Sequence, residues 1–338
     1  MKPAALLDAH DLALGFPVRQ GLGGLFRSGP APVVRALNGV TLSVDRGETL
    51  AIVGESGCGK STLARALVRL VDLDAGQVMF DGTDVRALGG TALRRYNRRV
   101  QMIFQDPYGS LNPRMSVGAI LEEALAVHAI VPAAGRRARV AELLSLVRLP
   151  EDSAGRLPHA FSGGQRQRIA IARALSVQPE LLIADEIVSA LDVSVQAQIV
   201  NLLLDLQQRL GLAILFVSHD LRVVRHVAHR VAVMYLGRIV EAGPADAVFE
   251  TPRHPYTRAL LRAAPRLVPP APGTRRETAA ALAGELPSPL AIPGGCPFHP
   301  RCPAAMAKCT TEPPHLRLTP DGHLATCHLD SAAPGVQT

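Results

Sequence analysis

No stretch of about 18 consecutive uncharged, apolar residues occurs in the 338-residue chain, so the sequence predicts no membrane-spanning helix. The N-terminus lacks the basic-then-apolar run of a secretory signal. These two absences predict a soluble, cytosolic protein, attached to a membrane at most through something else. Internal repeats are also missing. Basic charge is in excess but not concentrated: the formal charge is +7, with arginines spread along the chain. A nucleotide enzyme or a partner surface accounts for that excess as well as nucleic acid does, and nucleic-acid binding is not expected. Aromatic residues are scarce, at 4% with no tryptophan, which gives weight to the position of each. There are five cysteines, one at Cys58 and four between Cys296 and Cys327. In a cytosolic protein that grouping favours metal ligation over disulfides.

What is present is ample apolar material, 48% of residues, for one large or two ordinary domains. The chain is organised around Gly54-Glu55-Ser56-Gly57-Cys58-Gly59-Lys60-Ser61-Thr62, which fits the pattern G-x-x-x-x-G-K-[ST] without a mismatch. Residues 49–53 read as a short buried strand before it, and residues 63–70 as a helix after it. The glycines let the backbone curl until its N–H groups converge on phosphate oxygens, and the helix N-terminus adds partial positive charge. Lys60 is expected on the β- and γ-phosphates and the Ser61 hydroxyl on Mg²⁺.

Along the chain, residues 1–50 alternate apolar and polar positions as antiparallel strands, interrupted by a Gly/Pro-rich loop from Pro17 to Pro32. Phe16 closes the first strand, where its ring suits stacking on adenine and equally suits an ordinary core position. Further strands are expected at 77–82 and 100–104, the second running into Gln105. A helical insertion follows, with Val140, Leu143, Leu144 and Val147 on its buried face and Arg136, Arg137 and Arg139 just upstream as a solvated cluster. The α/β core resumes with a helix at 169–175 and a strand at 181–184, which ends in Asp185-Glu186. Asp192 is placed to cap a helix whose stripe is Val195, Ile199, Leu202, Leu206 and Leu210, with Gly211 just past its end. A strand at 213–217 leads to Ser218-His219-Asp220, and 231–241 reads as a closing hairpin. This alternation predicts a parallel sheet covered by helices. Prolines then crowd the chain, which places a domain boundary near residue 245 and a linker at 264–284.

A parallel sheet presents its ligand site at the carboxyl ends of its strands. Here those ends deliver the phosphate loop, Gln105, Asp185-Glu186 and His219. Asp185 suits the Mg²⁺ shell, Glu186 the attacking water, Gln105 that water or the Mg²⁺, and His219 the γ-phosphate. Taken singly, each of these residues has a common structural explanation; jointly they describe hydrolysis of a phosphoanhydride. Ser162-Gly163-Gly164-Gln165 adds a second glycine-rich turn that opens a helix near Arg166. One active site hardly needs two such cradles, whereas two chains arranged head to tail would use one from each.

These motifs resemble the ATP-binding subunits of ATP-binding cassette (ABC) transporters over about residues 8–245, in order and in spacing. The resemblance implies a P-loop NTPase cassette: a RecA-like core, an antiparallel β subdomain and a helical subdomain at about 106–165. It makes Phe161 to Gln165 the signature motif, Ser189 to Asp192 the loop across the dimer interface, His219 the switch histidine and Phe16 the adenine-stacking ring. ATP would be held between one chain's phosphate loop and the other's signature turn, so an isolated chain would bind ATP yet hydrolyse it poorly. One departure is Ile187, where the family usually has proline; isoleucine there is expected to loosen Glu186 or slow hydrolysis.

The stretches Phe104 to Arg114, Ala190 to Gln198 and Pro252 to Thr257 resemble the oligopeptide/dipeptide (and nickel) importer branch, and the insert between Phe16 and Val33 its F-type subunit. The resemblance implies a heterodimer with a D-type paralogue, two membrane permeases, an extracytoplasmic substrate-binding protein, and a peripheral place on the cytoplasmic face of the inner membrane. Residues 246–338 would form a small Cys-rich C-terminal region. Cys296, Cys302, Cys309 and Cys327 follow no paired C-x-x-C spacing, yet four cysteines can close a Zn²⁺ site or bind [4Fe–4S]. The branch favours the cluster, with His299, His323 and His328 as substitute ligands. Nickel and glutathione import remain alternatives, as does a soluble ABC ATPase acting on DNA or ribosomes. That last class usually carries long coiled coils or tandem cassettes, which this chain lacks.

Overall fold

The computed structural model describes residues 5–18, 32–263, 285–318 and 322–329. Most of the Gly/Pro-rich loop expected after Pro17, and the linker expected at 264–284, lie outside them. Contacts divide the chain into two compact units, one made of Met1–Asp8, Ser43–Leu50 and Val78–Ser218, the other of Ala9–Leu42, Ala51–Gln77 and His219–Thr338.

In the first unit three parallel strands lie side by side. Val100–Ile103 pairs with Leu181–Asp185, with Ile103 opposite Ala184, and Leu181–Asp185 pairs with Ala213–Val217, with Asp185 opposite Val217. The second and third strands are buried at every position. Their unbroken apolar runs follow from that, because a parallel sheet is covered on both faces. The crossover between them is the helix Val193–Leu210, which Gly211 ends in the left-handed conformation at φ 65. Its buried face is Ile199, Val200, Leu202, Leu203, Leu206 and Gln207. Leu210, expected on that face, is 47% exposed at the last turn. Gln207 is buried and spends its amide on Gly47 O at 3.0 Å and Thr49 Oγ1 at 2.7 Å.

The helical insertion contains Val117–Val127, capped by Ser116 Oγ accepting from Ala119 N, and Arg136–Leu146. Val140, Leu143, Leu144 and Val147 are buried as their spacing predicts. Arg136, Arg137 and Arg139 lie within the first turns of that helix, not upstream of it. Arg139 pairs with Glu142 at 2.8 Å, one turn on.

In the second unit the expected hairpin joins Arg230–Tyr235 and Arg238–Pro244 through Leu236-Gly237, with a bulge between Ile239 and Glu241. Leu324–Ala325 adds to its edge, with Glu241 opposite Ala325. Glu241 is fully buried and accepts from Arg253 N at 2.7 Å, His254 N at 2.9 Å and His323 Nε2 at 2.7 Å. One carboxylate thus ties the hairpin to two distant segments, because a buried charge is tolerated only when its oxygens are satisfied. The prolines punctuate helices: Ala245–Glu250 ends before Pro252, and Pro255–Ala263 begins on a proline that has no N–H to lose.

His254 is almost wholly buried, and its Nδ1 accepts from Tyr256 N at 3.0 Å. Burial, with Arg258 adding to it, pushes its pKa down to about 3 from 6.5. The unfolded chain therefore takes up this proton below pH 6.5 while the folded chain stays neutral to about pH 3. Stability is expected to fall through that window by up to ~1.4 kcal/mol per pH unit from this group. In urea unfolding at pH 7 and pH 5, His254→Asn, whose side-chain oxygen can replace the Nδ1 acceptor, should show a smaller acid loss than the wild type.

Candidate functional site

The phosphate-loop pattern forms the expected turn between the strand Thr49–Val53 and the helix Lys60–Leu67. Gly59 takes the N-cap position in a left-handed conformation, φ 109, and the first helical turn carries no carboxylate. The positive end of the helix is therefore not offset by a first-turn carboxylate, which suits it to an anion. Lys60 is buried, and its ammonium donates to the carbonyls of Gly54 and Glu55, each at 2.9 Å, which holds it across the loop mouth. Cys58 is buried and burial pushes its thiol pKa up, so it packs and does not act as a nucleophile. Ser56 and Gly57 are exposed on the loop, and Ser61 and Thr62 lie in the first helical turn. Phe16 stands near the end of the strand Leu7–Pro17, 41% exposed, just after Gly15 N donates to Asp74 Oδ2 at 2.7 Å. An ordinary core ring would be covered. His219 is exposed, and the next residue, Asp220, caps the helix Leu221–Val227.

Two side chains on this loop's flank are not signalled locally by the sequence. Tyr256 Oη accepts from Glu55 N at 2.9 Å across 201 residues, and Arg301 makes two hydrogen bonds to the Glu55 carboxylate across 246 residues. The stretch Pro252 to Thr257 reads in sequence only as a branch marker, although its tyrosine is a strut of the loop.

In the other unit the parallel register brings Gln105 and Glu186 together: Gln105 Nε2 donates to Glu186 Oε2 at 3.1 Å. Asp185 ends its strand 2% exposed. Glu186 takes φ 48, its N–H donates to Val217 O at 2.9 Å, and its carbonyl accepts from Ser189 N at 3.1 Å and Ser189 Oγ at 2.9 Å. Ile187 is buried beside it at 2% exposure, and the turn is closed by these bonds without a proline ring.

Ser162 caps the helix Gly163–Leu175 with a reciprocal box: its hydroxyl accepts from Gln165 N at 3.4 Å and its N–H donates to Gln165 Oε1 at 3.0 Å. No carboxylate lies in the first turn, so this is the second positive helix end expected from sequence. A Cβ on Gly164 would stand 2.4 Å from Val195 Cγ1, so glycine permits the close approach of the next helix. Asp192 holds the N-cap position there, but its exposed carboxylate makes no capping hydrogen bond. The loop before it is instead strapped by Gln196 Nε2, which donates to Val188 O and Leu191 O at 2.9 Å each. Arg166 lies 3.9 Å over the Tyr108 ring and Arg173 bonds Ser110 O at 2.5 Å, so the signature helix grips the segment after Gln105.

The cysteines of the C-terminal region are free thiols. Cys296 N donates to Cys309 O at 2.8 Å, and the sulfurs of Cys296, Cys302 and Cys309 accept backbone N–H groups from Phe298, Ala304 and Met306. Burial, reinforced by the other three thiols, pushes Cys296 up to about 11. Among the described residues no three Cys, His, Asp or Glu side chains converge where a metal ion would be held. The histidines considered as substitutes are engaged: His299 Nδ1 with Cys296 O at 2.9 Å, His323 with Glu241, and His328 Nε2 with Glu312 O at 2.9 Å.

A phosphate loop of this form, with the acidic pair and the second capped turn, defines a P-loop nucleotide-binding protein. Residues 37–189 match the family described as ABC transporter, and residues 240–309 the family described as Oligopeptide/dipeptide transporter, C-terminal region. The chain is 52% identical over 329 residues to the Probable peptide ABC transporter ATP-binding protein y4tS of Sinorhizobium fredii, covering 97% of this chain and 91% of that one. It is 49% identical over 322 residues to the Dipeptide transport ATP-binding protein DppF of Escherichia coli, covering 95% and 93%. Among solved structures it resembles cbiO1 from Clostridium perfringens, part of the transporter complex cbiONQ, with a TM-score of 0.62 and 28% identity over 73% of this chain and 91% of that one. It also resembles the dimeric post-hydrolysis cassette MJ0796 bound to ADP and Pi, with a TM-score of 0.60 and 27% identity over 71% and 98%. The chain belongs to the ATP-binding subunits of ABC transporters, in the oligopeptide/dipeptide group, and is an ABC-family ATPase with that cassette fold.

Proposed function

We propose that this chain hydrolyses ATP to drive import of peptides of the dipeptide and oligopeptide class. The observation that carries the reading is the identity of about half the residues along nearly the whole chain with relatives named for peptide or dipeptide transport. The chain would comprise a cassette at 1–245 and a transporter-type C-terminal region at 246–338. Gly54 to Thr62 would cradle the triphosphate and Phe16 would stack on adenine; Ser61, Asp185 and Gln105 would hold Mg²⁺, which would supply positive charge against the transferred phosphoryl group. Glu186 orients and polarises the attacking water while His219 contacts the γ-phosphate. Ser162 to Gln165 and Asp192 serve the nucleotide of a second, D-type chain. The exposed Ser162 at the start of that helix and the exposed Asp192 carboxylate, which makes no capping hydrogen bond, support that assignment.

Among the described residues no helix is long and apolar enough to cross a membrane; the peptide path would be formed by two permease subunits, as the likeness to dipeptide transport subunits suggests, with a substrate-binding protein on the far side. The chain would sit peripherally on the cytoplasmic face of the inner membrane. Purification of the tagged chain from membranes should recover two permeases and a paralogous ATPase, whereas recovery of ribosomes or DNA would overturn the assignment.

Cys296, Cys302, Cys309 and Cys327 are the residues that would hold a [4Fe–4S] cluster, with Zn²⁺ as the alternative. Four free thiols within one short region are the number such a site takes, although among the described residues no three of them converge on a metal position. Anaerobic purification followed by metal analysis is expected to give iron and a visible absorption band; colourless protein with stoichiometric zinc would exclude the cluster.

A further inference from the structure

The phosphate loop and the cysteine region meet at Glu55. Arg301 donates from Nη1 to Glu55 Oε2 at 2.7 Å and from Nη2 to Glu55 Oε1 at 2.9 Å, and its side chain is only 4% exposed. That is a fork on a carboxylate, the strongest and most directional ion pair available to side chains. The other polar groups of Glu55 are engaged as well: its N–H by Tyr256 Oη and its carbonyl by Lys60 Nζ, both at 2.9 Å. The first turn of the phosphate loop is therefore fixed on one side by the motif lysine and on the other by two C-terminal residues.

Arg301 is itself set by the loop that joins Cys296 to Cys302. Arg301 N donates to Phe298 O at 3.0 Å, Cys302 N to His299 O at 3.3 Å, and the N–H of Phe298 faces the Cys296 sulfur. The Phe298 ring is buried in a cluster, 5.4 Å from Tyr235 in an edge-on contact and 5.4 Å from Tyr256, which lies 4.7 Å from Tyr235. The ring that anchors the cysteine loop thus packs on the tyrosine that holds Glu55.

We infer that Arg301 is a positioning residue of the nucleotide site, presented to the phosphate loop by the cysteine loop. It does two things. It cancels a carboxylate that would otherwise repel a triphosphate arriving at the same loop, and it holds the loop's opening turn in one conformation. Nucleotide affinity consequently depends on the condition of the segment between Cys296 and Cys302. The inference rests on the reading of Gly54 to Thr62 as the triphosphate cradle.

The test is titration of the full-length protein with a fluorescent N-methylanthraniloyl ATP and Mg²⁺, comparing wild type with Arg301→Gln, Arg301→Lys, Cys302→Ser, Lys60→Ala and the pair Glu55→Gln with Arg301→Gln. Arg301→Gln should weaken binding about tenfold, the factor that corresponds to ~1.4 kcal/mol. Arg301→Lys should weaken it less, because it keeps the charge and loses the fork. Adding Glu55→Gln to Arg301→Gln should restore most of the affinity, since the unpaired carboxylate is gone; a brace needed only for folding would not be rescued this way. Cys302→Ser should shift affinity in the same direction as Arg301→Gln. Wild-type affinity in Arg301→Gln, a loss that Glu55→Gln does not relieve, or no response to Cys302→Ser would overturn the inference. Lys60→Ala separates the two readings: if it binds like wild type, the phosphate-loop assignment fails, and if it alone loses binding, only the role of Arg301 fails.

Discussion

Replacing Glu186 with glutamine is expected to cut ATP turnover of the assembled transporter by roughly 10²–10⁴, the range that removal of a general base commands, while leaving ATP binding in place. The expectation comes from how the side chain is held. Gln105 donates to one carboxylate oxygen, Val217 fixes the backbone N–H, and Ser189 fixes the carbonyl twice. Glutamine has the same reach and can keep hydrogen bonds of this kind, so the turn should persist. What it lacks is the negative charge and proton affinity needed to polarise water. The proposed nucleotide cradle is the phosphate loop, which the substitution leaves untouched, so the variant should retain nucleotide without turning it over. Unchanged turnover would remove Glu186 from the chemistry.

Gly59→Ala is expected to weaken nucleotide binding about a hundredfold, which corresponds to ~2.7 kcal/mol. At φ 109 an added side chain carries backbone strain of roughly 1–3 kcal/mol. Its Cβ would also stand 2.4 Å from Ala36 O, a backbone atom that cannot swing away. Relief must come from moving the start of the helix that Lys60 opens, and with it the N–H groups proposed to cradle phosphate. Gly57→Ala supplies the control: φ is 81 there, but nothing lies within 4 Å of the added Cβ, so only the strain is felt and a loss of about tenfold is expected. Equal effects of the two variants in nucleotide titration would show that close packing on Ala36 is unimportant.

The parts of the site carried by local pattern are legible in the sequence. The phosphate loop, the Ser162–Gln165 capping box and the left-handed Gly211 each follow from residue types within a few positions of one another. The contact between Gln105 and Glu186, 81 residues apart, is also legible, because adjacent parallel strands deliver their ends to one place. Tyr256 and Arg301 are not: each reaches Glu55 through tertiary packing, with no periodicity or spacing to announce it. Asp192 shows a different limit. Its residue type predicts a capping side chain and the helix does start there, yet the strap from Gln196 holds the preceding loop and the carboxylate is left exposed. Periodicity placed Leu210 on the buried stripe, but a helix stripe ends where Gly211 turns the chain away.

The central claim is that ATP hydrolysis by this chain drives peptide import, and its most direct test is turnover in liposomes. The chain would be assembled with the proposed permeases and partner ATPase and assayed with and without peptide-loaded binding protein. The expected result is turnover that rises with peptide and is abolished by Glu186→Gln in this chain. Turnover indifferent to peptide, but stimulated by nickel chelates, glutathione, ribosomes or DNA, would contradict it.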